Sequence, residues 1–210
     1  MRTVLKLTSL FAFLCVFTTM NAQNLSFGLR AGVNIATVNI EQDGISIEPD
    51  SRTGLDIGAL LNIGITDAFS VQPEVSFIQK GYAIDLLGDK VELILNYIEV
   101  PVLAKYGFGS ESFQGFVQAG PSFGFAASGK TKFGDEEEDI EFEDDFNRFD
   151  FGLQFGAGAG FAAGSGQAFV DFRYALGLSN LDASEGEESG TINNRGILLT
   201  VGYLVPIGGK

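Results

Sequence analysis

Histidine is missing from all 210 residues, and cysteine occurs once, at Cys15. Without histidine there is no Ser-His-Asp or Cys-His catalytic arrangement, no histidine zinc site and no histidine pH switch. A helical pattern is missing too. From Gln23 onward no segment repeats its apolar residues every 3.6 positions, so a helical bundle is excluded. Positive charge is scarce: 13 Lys and Arg stand against 27 Asp and Glu, a formal charge of −14. That balance argues against nucleic acid as a partner.

What is present begins with a leader. MRTVLKLTSLFAFLCVFTTMNA sets Arg2 and Lys6 ahead of an apolar run from Leu7 to Phe17, with a small residue at Ala22. This is the layout of a secretory signal peptide, residues 1–22, cleaved before Gln23. The run falls short of the ~18 to 20 residues of a spanning helix. Leu14 precedes Cys15 where a lipoprotein would need a small residue, so Cys15 belongs to the discarded run. The mature chain, residues 23–210, reads as one domain. It has no cysteine for disulfides or thiolate metal sites, and 11 basic against 27 acidic residues leave it a charge of −16.

Eight stretches of the mature chain alternate with period two: 25–38, 53–65, 69–82, 93–106, 113–127, 149–161, 168–178 and 195–205. The sixth is the clearest, with Phe149, Phe151, Leu153, Phe155, Ala157, Ala159 and Phe161 on one face and Asp150, Gly152, Gln154, Gly156, Gly158 and Gly160 on the other. Connections near 39–52, 83–92, 128–148 and 179–194 are long and polar; those near 66–68, 107–112 and 162–167 are short. The pattern predicts an all-β fold, an eight-stranded antiparallel up-and-down transmembrane β-barrel in the cell outer membrane of a Gram-negative bacterium. Short turns and both termini lie in the periplasm, and long loops outside. The bulky face meets lipid and the small, charged face fills the lumen. Tyr97, Tyr106, Tyr174, Tyr203, Phe108 and Phe113 fall near strand ends, where aromatic residues anchor a barrel at the lipid boundary. A soluble barrel would turn the oily face inward, and a soluble periplasmic ligand-binding barrel stays open as an alternative.

Four stretches resemble the PorT-like family of outer-membrane β-barrel domains: FGLRAGVN, VQPEVSFIQKG, LNYIEVPVLAKY, and FRYALGLSN followed by NRGILLTVGY. The resemblance covers essentially the whole mature chain. LNYIEVPVLAKY is its most specific part, because a Glu followed two residues later by a Pro is unusual inside an apolar strand. The resemblance implies an eight-stranded outer-membrane barrel, no assigned activity for most members and, for some, a link to protein secretion across the outer membrane. The chain departs from such barrels by continuing past Tyr203 as LVPIGGK, where an aromatic residue commonly ends the last strand.

Motifs for chemistry are few. GPSFG around Ser122 matches a nucleophile elbow without a base or a strand-to-helix turn, and GAGAG from Gly156 sits inside an alternating strand with no helix after it. The lumen face collects Arg30, Asp56, Glu74, Lys80, Glu99, Lys105, Asp150, Asp171 and Arg173, charges of both signs that must pair if buried. They read either as an ion-pair network plugging the barrel or as a gate in a narrow channel. Eight strands leave room only for side chains. The loop near 128–148 carries Asp135, Glu136, Glu137, Glu138 and Asp139, a candidate divalent-cation site whose spacing matches no Ca²⁺ loop. The expectation is a monomeric, cofactor-free, non-enzymatic outer-membrane barrel with a structural, interaction or secretion-associated role. Its expected partners are outer-membrane lipid and other envelope or secretion proteins. A narrow outer-membrane channel is the alternative.

Overall fold

A computed structural model describes residues 25–42, 45–86, 89–110, 112–134, 136–140, 142, 146–182 and 190–207. The expected signal peptide lies outside them. The described residues form ten strands: β1 (Leu25–Gln42), β2 (Ile45–Ile47), β3 (Arg52–Gly64), β4 (Phe69–Leu86), β5 (Asp89–Gly109), β6 (Phe113–Phe133), β7 (Glu136–Ile140), β8 (Phe149–Ala163), β9 (Gly166–Gly177) and β10 (Thr191–Pro206). Eight of them close a ring in the order β10-β9-β8-β6-β5-β4-β3-β1, and β1 pairs back onto β10. That seam is antiparallel and unbroken from Ser26↔Pro206 to Glu41↔Thr191. Closure removes the free edges that an open sheet would present. β2 pairs with β1, and β7 with β6, as short flaps outside the ring.

Period-two alternation decides which way each side chain points. Leu29, Val75 and Val201 are 60%, 55% and 62% exposed, whereas their neighbours Arg30, Glu74 and Thr200 are each 2% exposed. Phe155 is likewise exposed. The oily face is therefore outside, and the soluble alternative is corrected. On β6 the outward belt runs from Phe113 to Phe125. A rise of about 3.3 Å per residue at a tilt of about 40° makes it roughly 30 Å tall, the thickness of a bilayer's apolar core. Tight turns join β3 to β4, β5 to β6 and β8 to β9 at the end that also holds Leu25 and Ile207, where the Ile207 N–H donates to the Leu25 carbonyl (2.7 Å). The chain is an eight-stranded transmembrane β-barrel.

Two expected loops are in large part strand. β4 and β5 stay paired up to Leu86↔Asp89, within the expected connection 83–92, and β6 reaches Phe133 before β7 folds back on it. Strict alternation hid this, because it slips by one residue in both strands. Gly81 on β4 has φ +118°, a conformation that L side chains rarely adopt, and a Cβ there would collide with the Leu93 carbonyl. Lys80 and Ala83 are therefore both buried although they are three residues apart. On β6 the partner of β5 jumps from Ser128 to Ala126 between Asn96 and Tyr97, a bulge.

The ladder also skips rungs in mid-wall. Between β3 and β4, β4 and β5, and β5 and β6 the pairing is interrupted without a change of register, and each gap contains one proline: Pro73, Pro101 and Pro121 respectively. Proline has no N–H to give to a neighbouring strand.

Candidate functional site

All nine charged residues expected in the lumen are buried there, none more than 6% exposed. Eight of them separate into two groups along the barrel axis. In the lower group, Glu74 on β4 sits between two guanidiniums. Arg173 on β9 donates to its oxygens at 2.8 and 2.9 Å, and Arg30 Nε on β1 lies 2.9 Å away. Arg30 also donates to Asp56 on β3, and Arg173 Nε to Asp171 (2.7 Å). Amides complete the set: Gln72 donates to Glu74 (2.8 Å), Gln118 to both oxygens of Asp171 (2.9 Å), and Gln154 accepts from Arg173 (3.3 Å). Planar guanidinium forks against carboxylates suit such a shared arrangement.

In the upper group, Lys80 Nζ bridges Glu99 on β5 (3.1 Å) and Asp150 on β8 (3.0 Å). Asn194 donates to Asp150 (2.9 Å), and the ammonium lies 4.8 Å from the centre of the Tyr97 ring. Tyr97 was expected at the lipid boundary. It is instead fully buried in the lumen, because Tyr97 shares the inward parity of Glu99. Tyr106, Phe108, Phe113 and Tyr203 do stand exposed near the turn end.

Lys105 joins neither group. It has no carboxylate within 4.0 Å among the described residues and lies over the Phe116 ring (3.8 Å), with a long hydrogen bond to Gln72 (3.4 Å). Phe116 belongs to an apolar stopper with Leu60, Phe169 and Leu204 that fills the lumen near the turn end. Gly158 makes room for it, since a Cβ there would run into the Phe116 ring. Below lies a polar cup of about 470 Å³, lined by Asn62, Ser70, Gln114 and Gln167.

Sequence reasoning missed Arg52, which is 5% exposed and lies above the upper group, donating to the Lys80 carbonyl (3.3 Å) and facing Glu92 (3.7 Å). Carrying the alternation back from Gly54 by two positions finds it. Glu92 lies beyond the apolar belt, and its carboxyl is held below the usual range by a hydrogen bond from Lys90, then by the charges of Lys90 and Arg52.

The upper end of the lumen is covered from the acidic connection. Phe142 and Phe146 stack 5.1 Å apart and pack against a buried cluster of Ile78, Leu95, Tyr97, Ala126 and Leu198. Arg148 is 4.8 Å from both the Phe125 and Phe142 rings. Of the candidate cation loop, Asp135 lies outside the described residues. Glu136 to Asp139 lie on β7, where alternation sends successive carboxylates to opposite faces; Glu137 and Asp139 approach Lys130 at 3.2 and 3.9 Å. No group of three or more His, Cys, Asp or Glu side chains placed to hold a metal ion occurs among the described residues. GPSFG and GAGAG lie inside β6 and β8, with no helix after either among the described residues.

The sequence of residues 21–183 matches the family model described as outer membrane protein beta-barrel domain, and the chain belongs to that family. No curated protein is significantly similar to it. Its fold is similar to those of Ail from Yersinia pestis (16% identity, 85% of this chain and 97% of that one, TM-score 0.42), Neisserial surface protein A (14%, 88% and 99%, 0.45) and OprG from Pseudomonas aeruginosa (14%, 88% and 98%, 0.46). At these identities the likeness is one of fold. The expectation that the chain has no enzymatic activity is overturned here. Matched structures include the outer membrane enzyme PagL (13% identity, TM-score 0.41) and the outer membrane protease OmpT from Escherichia coli (10%, 0.39). Fold class alone does not decide whether a chain is catalytic.

Proposed function

We propose that this protein is a plugged outer-membrane scaffold that holds acidic hairpins above the membrane for contact with envelope or secretion partners. The observation that carries the reading is the closure of the lumen at three levels. The Phe142 and Phe146 cover lies at the top, the two ion-pair groups in the middle, and the stopper of Leu60, Phe116, Phe169 and Leu204 at the turn end. A lumen filled in this way favours a scaffold over the narrow channel. β5 and β6, 21 residues each, continue beyond the apolar belt as paired strands and give the hairpins a firm base. The PorT-like stretch LNYIEVPVLAKY supports a place among secretion-linked envelope barrels. On this reading residues 1–22 direct export, and the mature chain works as a monomer in outer-membrane lipid.

Planar-bilayer recording tests the closed lumen. The purified protein is expected to give no unitary conductance steps, and steady ohmic steps would overturn the reading. Deleting residues 134–141 is expected to leave heat-modifiable gel mobility intact while abolishing partner contact at the cell surface.

A further inference from the structure

The upper group holds more acceptors than its donors satisfy. A cavity of about 10 Å³ lies beside it, lined by Asn34, Lys80, Glu99, Ser122, Asp150 and Asn194 among others. That volume accommodates one water-sized species. Four oxygens on its lining residues have no hydrogen-bond partner: Asn34 Oδ1, Glu99 Oε2, Asp150 Oδ1 and Asn194 Oδ1. Their residues are 3% exposed or less.

The Asn34 and Asn194 amides and the Lys80 ammonium are already committed, while the buried Tyr97 hydroxyl has no hydrogen-bond partner. Asn34 Nδ2 donates to the Gln79 carbonyl (3.0 Å), Asn194 Nδ2 to Asp150 Oδ2 (2.9 Å), and Lys80 Nζ to Glu99 Oε1 and Asp150 Oδ2. Charge is unbalanced in the same sense, with one ammonium against two carboxylates. Arg52 is directed to Glu92 and the Lys80 carbonyl, and Arg195, which also lines the cavity, donates through Nη1 to the Tyr174 hydroxyl (3.3 Å), with its Nε unpartnered.

We infer that this cavity binds one sodium-sized monovalent cation through the free oxygens of Asn34, Glu99, Asp150 and Asn194. Water offers two donors to four acceptors and brings no charge. One positive charge cancels the local excess of −1, whereas a divalent ion would leave a buried +1. Four protein oxygens are also fewer than the roughly six to eight that Ca²⁺ takes. The bound ion ties β1, β5, β8 and β10 together above the lower ion-pair group, so it stabilises the ring.

The test uses the whole protein extracted from outer membranes in detergent. Its heat-unfolding midpoint is measured in sodium, potassium and N-methyl-D-glucamine chloride at matched ionic strength. The site predicts an upward shift that saturates with sodium, is smaller in potassium and is absent in N-methyl-D-glucamine. Glu99→Gln, which removes the excess negative charge, is expected to abolish the sodium shift. Should that variant fail to fold, sodium-23 relaxation of the wild-type protein reads the bound ion directly, as an excess over protein-free detergent. Equal midpoints in all three chlorides with no excess relaxation would overturn the inference in favour of water. A sodium shift that persists in Glu99→Gln would overturn it in favour of another site.

Discussion

Glu74 is the residue on which the lower half of the lumen depends, because two arginines, from β1 and β9, converge on it. Glu74→Gln leaves both guanidiniums short of charge in a buried setting, and such a loss costs about 3 to 5 kcal/mol. Urea unfolding in lipid vesicles should show that decrease. On the outer face Val201 is free of packing demands but surrounded by lipid, so Val201→Arg is expected to destabilise by about 2 to 4 kcal/mol, as for a cation near the bilayer midplane. The same measurement checks it. The inward position of all nine lumen charges was legible in the sequence, since period-two alternation puts each opposite a bulky apolar neighbour. Their partners were not. Glu74 and Arg173 are 99 residues apart, and only the stagger of the closed ring decides that they meet while Lys105 is left on an aromatic ring.

At the scale of elements, the wall differs in strength around the ring. The β1–β10 seam has a continuous ladder, but β3 to β6 carry three neighbouring interruptions at Pro73, Pro101 and Pro121. Hydrogen exchange is expected to be faster for amides flanking those prolines than for the seam, and uniform protection of both would refute the ladder gaps as a dynamic feature. The eight ring strands were legible to within a few residues at their turn ends, where glycine and short polar connections mark them. The outer ends of β1, β4, β5, β6 and β10 were not. Gly81 and the bulge near Ala126 each shift the alternation by one position, so a strict two-residue reading runs out while the strands continue. β7 was also hidden, because EEEDI reads as a solvated acidic loop and owes its strand form to pairing with Gly129–Phe133.

For the molecule as a whole, an outward belt of Phe, Leu, Ile and Val surrounds a lumen of paired charges and glycine, and membrane insertion follows from that inversion. The most direct measurement labels single cysteines with a fluorophore in protein reconstituted into vesicles that contain lipid-borne quenchers. Leu199, Val201 and Thr200 are replaced one at a time. The structure predicts strong quenching from Leu199→Cys and Val201→Cys and little from Thr200→Cys, whose side chain faces the lumen. Strong quenching at Thr200 together with protection at Val201 would contradict the account.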